Sequence, residues 1–303
     1  MNWASASHPR PFWANRHILF AALVGTSAAV FSRSLWLLGS RALHNDEYSH
    51  ILVVPLLSAW FVRERYREAL AQATYDVGAG LPLIFAGMAT YALSCMLPLL
   101  RDANDVLTVS VAGVVLAWIG AAVACYGRSA CRTLAFPVLL LFLMVPLPGA
   151  VVHWIVFGLQ QLSATASELL FLALRVPVLR QGTVMALPGA TIEVAEACSG
   201  IRSSIAMLIT FLIVAKVALQ RARYRVLLLL LTIPVSILKN AVRIVTLSLL
   251  AIRVDPSFLT GNLHHDGGIV FYLIGLALML PVVRLLQRLE RRYDRTVAPA
   301  VDG

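Results

Sequence analysis

The sequence predicts an all-α polytopic membrane protein, with about eight transmembrane helices, one interfacial amphipathic helix and a small outer-side hairpin. Three observations carry this. Hydrophobic residues make up 59% of the 303 and charged ones 13%, whereas a soluble domain is nearer half apolar and a quarter charged. The apolar residues fall in runs, most of them long enough to cross a bilayer. Lys and Arg gather in clusters between the runs, as they do in loops kept in the cytoplasm. The net charge of +10 is therefore read as topology, and no nucleic-acid partner is expected.

Apolar runs lie at about 17–38, 50–62, 77–99, 106–125, 131–148, 150–175, 201–219, 225–250 and 267–286. The short run at 50–62 gains length if its helix begins near His44. Basic clusters stand at Arg10 and Arg16; at Arg63, Arg65 and Arg67; at Arg128 and Arg132; at Lys216, Arg221, Arg223 and Arg225; and from Arg284 through Arg288, Arg291 and Arg292 to Arg295. The positive-inside rule assigns all five to the cytoplasm. An even number of crossings must then separate Arg132 from Lys216, yet three runs intervene. Along 150–175, His153, Gln160, Ser167, Glu168 and Arg175 recur at spacings near seven and draw a polar stripe. That run is assigned to the outer interface, lying along it or partly re-entrant. Eight crossings and two cytoplasmic termini follow. The expected organisation is a cytoplasmic tail at 1–16, one integral-membrane domain at 17–286 and a basic cytoplasmic tail at 287–303. No small-residue cleavage site follows the first run, so no cleavable signal peptide is expected.

Residues 176–198 form an outer segment punctuated by Pro177, Gly182, Pro188 and Gly189. Val184–Leu187 and Thr191–Val194 flank Pro188-Gly189-Ala190 and read as a β-hairpin.

Three polar islands interrupt the apolar sequence. The first, Glu196-Ala197-Cys198-Ser199-Gly200-Ile201-Arg202-Ser203, sets a cysteine where a helix begins. Helix N-termini carry a positive dipole end that lowers a nearby thiol pKa. The second, Asn240-Ala241-Val242-Arg243, lies inside a run, with Arg243 about 10 Å below its outer end at 1.5 Å per residue. The third, His264-His265-Asp266-Gly267-Gly268, opens the last run. All three fall on the outer side by loop charge alone. Taken singly each has a plainer use: cysteine as apolar filler, Arg243 snorkelling to the interface, Asn240 bonding across helices and a loop histidine simply solvated. Together a thiol, a guanidinium and an imidazole suffice for cysteine acyl transfer. Lys239, one turn deeper than Arg243, has no evident role. The other cysteines form no CxxC pair; Cys125 and Cys131 flank an inner loop and read as inert, and Cys95 reads as a core residue. No metal or other cofactor is expected, since there is no HExxH and no Cys/His pair at ligand spacing, although His264-His265-Asp266 alone leaves a metal open.

These islands, with Phe271 after the glycine pair, resemble the exosortase/archaeosortase family. Asp46-Glu47-Tyr48-Ser49-His50 looks like that family's early outer-loop motif; by itself it reads as a helix cap. The resemblance covers roughly 45–285. It implies an integral-membrane cysteine transpeptidase in the bacterial inner membrane, its active site facing the periplasm. By resemblance Cys198 is the nucleophile, Arg243 its electrostatic partner and His264 the acid/base, with Glu196, Arg202, Asn240 and His265 in support. The doublet leaves the histidine assignment open; spacing to Gly267-Gly268 favours His264. Implied partners are the lipid bilayer and exported proteins with a C-terminal Pro-Glu-Pro-like motif, transmembrane helix and basic tail. Two other readings stand beside this one: an intramembrane hydrolase without transfer, and a non-catalytic scaffold or transporter using Arg243 and Lys239 as an anion path. The two-halved symmetry of many transporters is not seen.

Overall fold

The computed structural model describes residues 15–45, 48–96, 102–194, 200–259 and 268–297. The chain folds as two compact units, Met1–Val151 and Val152–Gly303. Helices dominate both, as they must where lipid offers the backbone no hydrogen bonds.

In the first unit α1 (Arg16–Val30) and α2 (Ser32–His44) meet at a 78° bend. Phe31 is the elbow. Its ring is fully buried, stands edge-on to Tyr91 at 4.6 Å and packs on Val114 and Ala117. The run at 17–38 is therefore two helices, not one. No Pro or Gly stands at the bend, and the tertiary contact of Phe31 holds it. Asn45 is extended (φ −123°, ψ 115°), so α3 (His50–Ala71) begins at His50 and not near His44. Next, α4 (Val77–Met96) and α5 (Ala103–Thr133) pack backbone on backbone. A Cβ on Gly87 would stand 2.6 Å from the Gly113 carbonyl oxygen. Small residues permit such approach, and close packing is what drives helix association in lipid. The chain then runs through α6 (Ala135–Leu140) and a 3₁₀ turn, Leu141–Met144.

At one end of this unit His17 bonds the Tyr126 hydroxyl at 2.9 Å, Ser129 donates to Gln72 at 2.9 Å and Arg128 Nε donates to Asp76 at 2.7 Å. The Arg16, Arg63–Arg67 and Arg128/Arg132 clusters thus gather at the same end, as a shared sidedness requires. At the start of α5, Asn104 accepts from Tyr48 at 2.9 Å and Arg41 at 3.2 Å, and donates to the Leu147 carbonyl at 2.8 Å.

The second unit holds nearly all of α7 (Gly149–Ala173), three strands, then α8 (Ile201–Ala218), α9 (Ala222–Arg253) and α10 (Gly268–Val297). Several polar residues of α7 turn toward protein. Gln160 donates to the Val194 carbonyl at 3.0 Å, Glu168 pairs with Arg180 at 3.3 Å, and Ser163 and Ser167 are fully buried. The stripe seen in the sequence thus seats the sheet. The sheet is an antiparallel meander of β1 (Leu179–Gln181), β2 (Val184–Leu187) and β3 (Ala190–Glu193), with Met185 opposite both Arg180 and Ile192. Its second hairpin is the expected one, turning at Pro188-Gly189 with Gly189 at φ 89°; β1 is an added strand. Met185, Leu187, Ile192 and Val194 pack on Ala164 and Phe171 of α7 and Val245 of α9.

Met207, Phe211 and Ala215 of α8 pack with Leu228 of α9 and Met279, Val283 and Leu286 of α10. The α8–α9 turn is tied to α10. Buried Glu290 accepts the Arg221 N–H at 2.6 Å, and Arg221 pairs with Asp294 at 2.6 Å. The basic clusters around Arg221 and Arg295 therefore share one end of this unit. The helix α10 continues to Val297, through much of the segment expected as a tail.

Among the described residues α4, α5, α7, α8, α9 and α10 are long and apolar enough to cross a membrane, and the bent pair α1–α2 makes up to seven. The chain is a multi-pass, all-α membrane protein. The expected eight leaves out α7, read from the sequence as an interfacial helix although it is long and apolar enough to cross, and includes two runs that do not meet that test. The second half of α3 carries Arg63, Glu64, Arg65 and Arg67. The helix over Ala135–Met144 spans only ~15 Å, about half the hydrocarbon thickness.

Candidate active site

The opening turn of α8 is built by a glycine and an asparagine. Gly200 caps the helix at φ 75°, ψ 14°, in the left-handed region. Its carbonyl accepts the Ser204 N–H at 2.9 Å and the Ser203 hydroxyl at 3.0 Å. A Cβ on Gly200 would stand 2.9 Å from Asn240 Oδ1. Both the backbone angle and the contact therefore demand glycine. Asn240 is 1% exposed and donates to Ser163 Oγ at 3.0 Å. A buried amide at membrane depth needs such partners. One side chain of α9 thus joins α7 to the start of α8.

The neighbouring face of α9 carries two cations. Lys239 is 1% exposed and its ammonium donates to Ser203 Oγ. Arg243 lies one turn nearer the C-terminal end and is half-buried. It stands ten residues before the helix ends at Arg253, about 15 Å along the axis. Ionisable groups at such depth face protein or a wet cavity and mark functional paths. From α10, Gly275 meets the Lys239 stem: a Cβ there would be 3.3 Å from Lys239 Cδ. The N-terminus of α10 is Gly268, two turns before Gly275. The starts of α8 and α10 and the Arg243 turn of α9 are therefore at one end of the second unit.

Of the residues singled out in the sequence, Asn240 and the Gly200 turn come together. Arg202 is exposed on the first turn of α8, and Arg243 is half-buried on α9. Cys198, Glu196, His264 and His265 lie outside the described residues, as do Asp46 and Glu47. Chain length alone keeps the Cys198 Cα within about 7 Å of the Gly200 Cα. The positive dipole end of α8 lies at its first turn, which Gly200 caps. Ser163, Ser203 and Gly275 had no signal as site residues. Ser203 belongs to the cysteine motif, but its lysine partner is 36 residues away.

The family model for transmembrane exosortases matches residues 36–281. The chain belongs to the transmembrane exosortase family. The match takes in all three polar islands and both units. No curated protein and no solved structure matches the chain. In this exosortase-family fold the cysteine motif leads directly into α8. The Asn-Ala-Val-Arg motif lies on α9, its asparagine against that same turn.

Proposed function

We propose that the chain is a membrane cysteine transpeptidase, acting outside the cytoplasmic membrane on exported proteins with a Pro-Glu-Pro-like motif, transmembrane helix and basic tail. The observation that carries this is the clamp of Asn240 on Gly200, which couples the cysteine motif to the helix bearing Arg243, in a chain of the exosortase family.

The Cys198 thiolate attacks the scissile carbonyl carbon, and the carbonyl electrons move onto oxygen. Arg243, always charged, offsets that oxyanion, with the positive end of α8 assisting. His264 takes the thiol proton and returns it to the departing amine as the C–N bond breaks. This leaves a thioester on Cys198. An acceptor amine attacks the thioester carbon and gives its proton to His264; the C–S bond breaks as the new amide forms, and the proton returns from His264 to the Cys198 sulfur. Water in place of the amine would make the enzyme a hydrolase. His265 is the alternative base, and Glu196 and Arg202 flank the nucleophile.

The test is processing of a tripartite-tail protein in cells carrying Cys198→Ala. Uncleaved precursor is expected, with membrane insertion unchanged; wild-type cleavage by this variant refutes the assignment. Arg243→Lys is expected to fail too, because an ammonium does not reproduce the guanidinium fork. The mass of the released product separates transfer from hydrolysis.

A further inference from the structure

We propose that Lys239 is a positioning residue that locks the opening turn of α8 through Ser203 and so fixes the reactive thiol. The inference rests on the reading of Cys198 as nucleophile.

Lys239 is 1% exposed inside a membrane helix, and no Asp or Glu pairs with it among the described residues. Arg243, one turn away, adds a like charge on the same face. A cation in that setting is costly, and such residues mark functional sites. Packing alone does not call for it, since methionine is apolar, flexible and similar in length.

The ammonium is aimed at one place. It donates to Ser203 Oγ, and that hydroxyl donates to the Gly200 carbonyl at 3.0 Å. The path from lysine to backbone ends two residues from Cys198. Asn240, the next residue on α9, presses on Gly200 from its own side. The slot for the lysine stem is shaped by α10, where a Cβ on Gly275 would meet Met207 Sδ at 2.8 Å and Lys239 Cδ at 3.3 Å. Three helices therefore meet around one lysine, whose ammonium bears on the cysteine turn. Loosening that turn is expected to weaken the effect of the helix dipole on a thiol two residues before it in sequence.

The experiment is the pH dependence of Cys198 alkylation by iodoacetamide in the full-length protein in nanodiscs, with Cys95, Cys125 and Cys131 replaced by Ala. Lys239→Met, Ser203→Ala and the double variant are compared. Each single change is expected to raise the alkylation midpoint by about one pH unit, a tenfold loss of thiolate near neutrality. The double variant is expected to move it no further, since both act on one path. Unmoved midpoints with a lowered Tm would make the lysine merely structural and overturn the proposal; so would additive shifts. Ser203→Ala removes a single oxygen and keeps the test open if Lys239→Met does not fold. No substrate is involved, so the outcomes separate. Unmoved midpoints beside an inactive Cys198→Ala sink only this inference. Normal processing by Cys198→Ala sinks the transpeptidase reading instead.

Discussion

At the residue scale the site turns on Gly200. Left-handed backbone costs an L-residue about 1–2 kcal/mol, and a Cβ would also press on Asn240 Oδ1 at 2.9 Å. Gly200→Ala is therefore expected to lower stability by at least that amount and to impair processing. Gly158→Ala is the control. It lies in α7 with nothing within 4 Å of its added Cβ, so a gain of about 0.5–1 kcal/mol is expected. Thermal unfolding in one detergent checks both, and equal effects would refute the distinction. The need for a tight turn at Gly200 was legible in the sequence, because a cysteine, a glycine and a helix start adjoin there. So was an interhelical role for Asn240. Their partners were not: Ser163 is 77 residues from Asn240, and only folding pairs them.

At the element scale the turn before α4 is held by charge. Asp76 accepts the Ala79 N–H at 3.1 Å and pairs with Arg128, whose hydrogen bond holds the carboxyl below its ordinary value of 3.8. The folded state therefore binds the proton less readily than the unfolded chain. The stabilisation is complete above the ordinary carboxylate pKa and is lost as pH falls through the lowered folded value. Asp76→Asn is expected to lower Tm slightly near neutral pH and to flatten the acid limb of the Tm–pH curve. An unchanged acid limb would contradict this. Elements were legible where local chemistry announces them. Pro188-Gly189 marks the β2–β3 hairpin; β1 is three residues long with no alternation to betray it. The α1–α2 bend depends on Phe31 meeting Tyr91, a contact 60 positions apart in sequence that local composition cannot report.

At the scale of the whole molecule, loop charge was the most informative signal. Within each unit the basic clusters do gather at one end, by Arg128–Asp76 in the first and Arg221–Asp294 in the second. The sidedness expected from them is testable with an impermeant maleimide in a cysteine-free background. Arg223→Cys should label only in inverted vesicles, and Thr191→Cys, on the exposed edge of β3, only in intact cells. Labelling of both from one side would refute it. The number of spans was less legible than their existence. Hydropathy reads apolar length, and it does not show that Ala135–Met144 stops short or that α3 fills its second half with charge.

The most direct measurement of the central claim is the intact mass of the protein after a short exposure to a tripartite-tail substrate and acid quench. An adduct equal to the acyl fragment, mapped to Cys198 and labile to hydroxylamine, is the predicted result. Substrate turnover with Cys198 unmodified, and undiminished in Cys198→Ala, would contradict it.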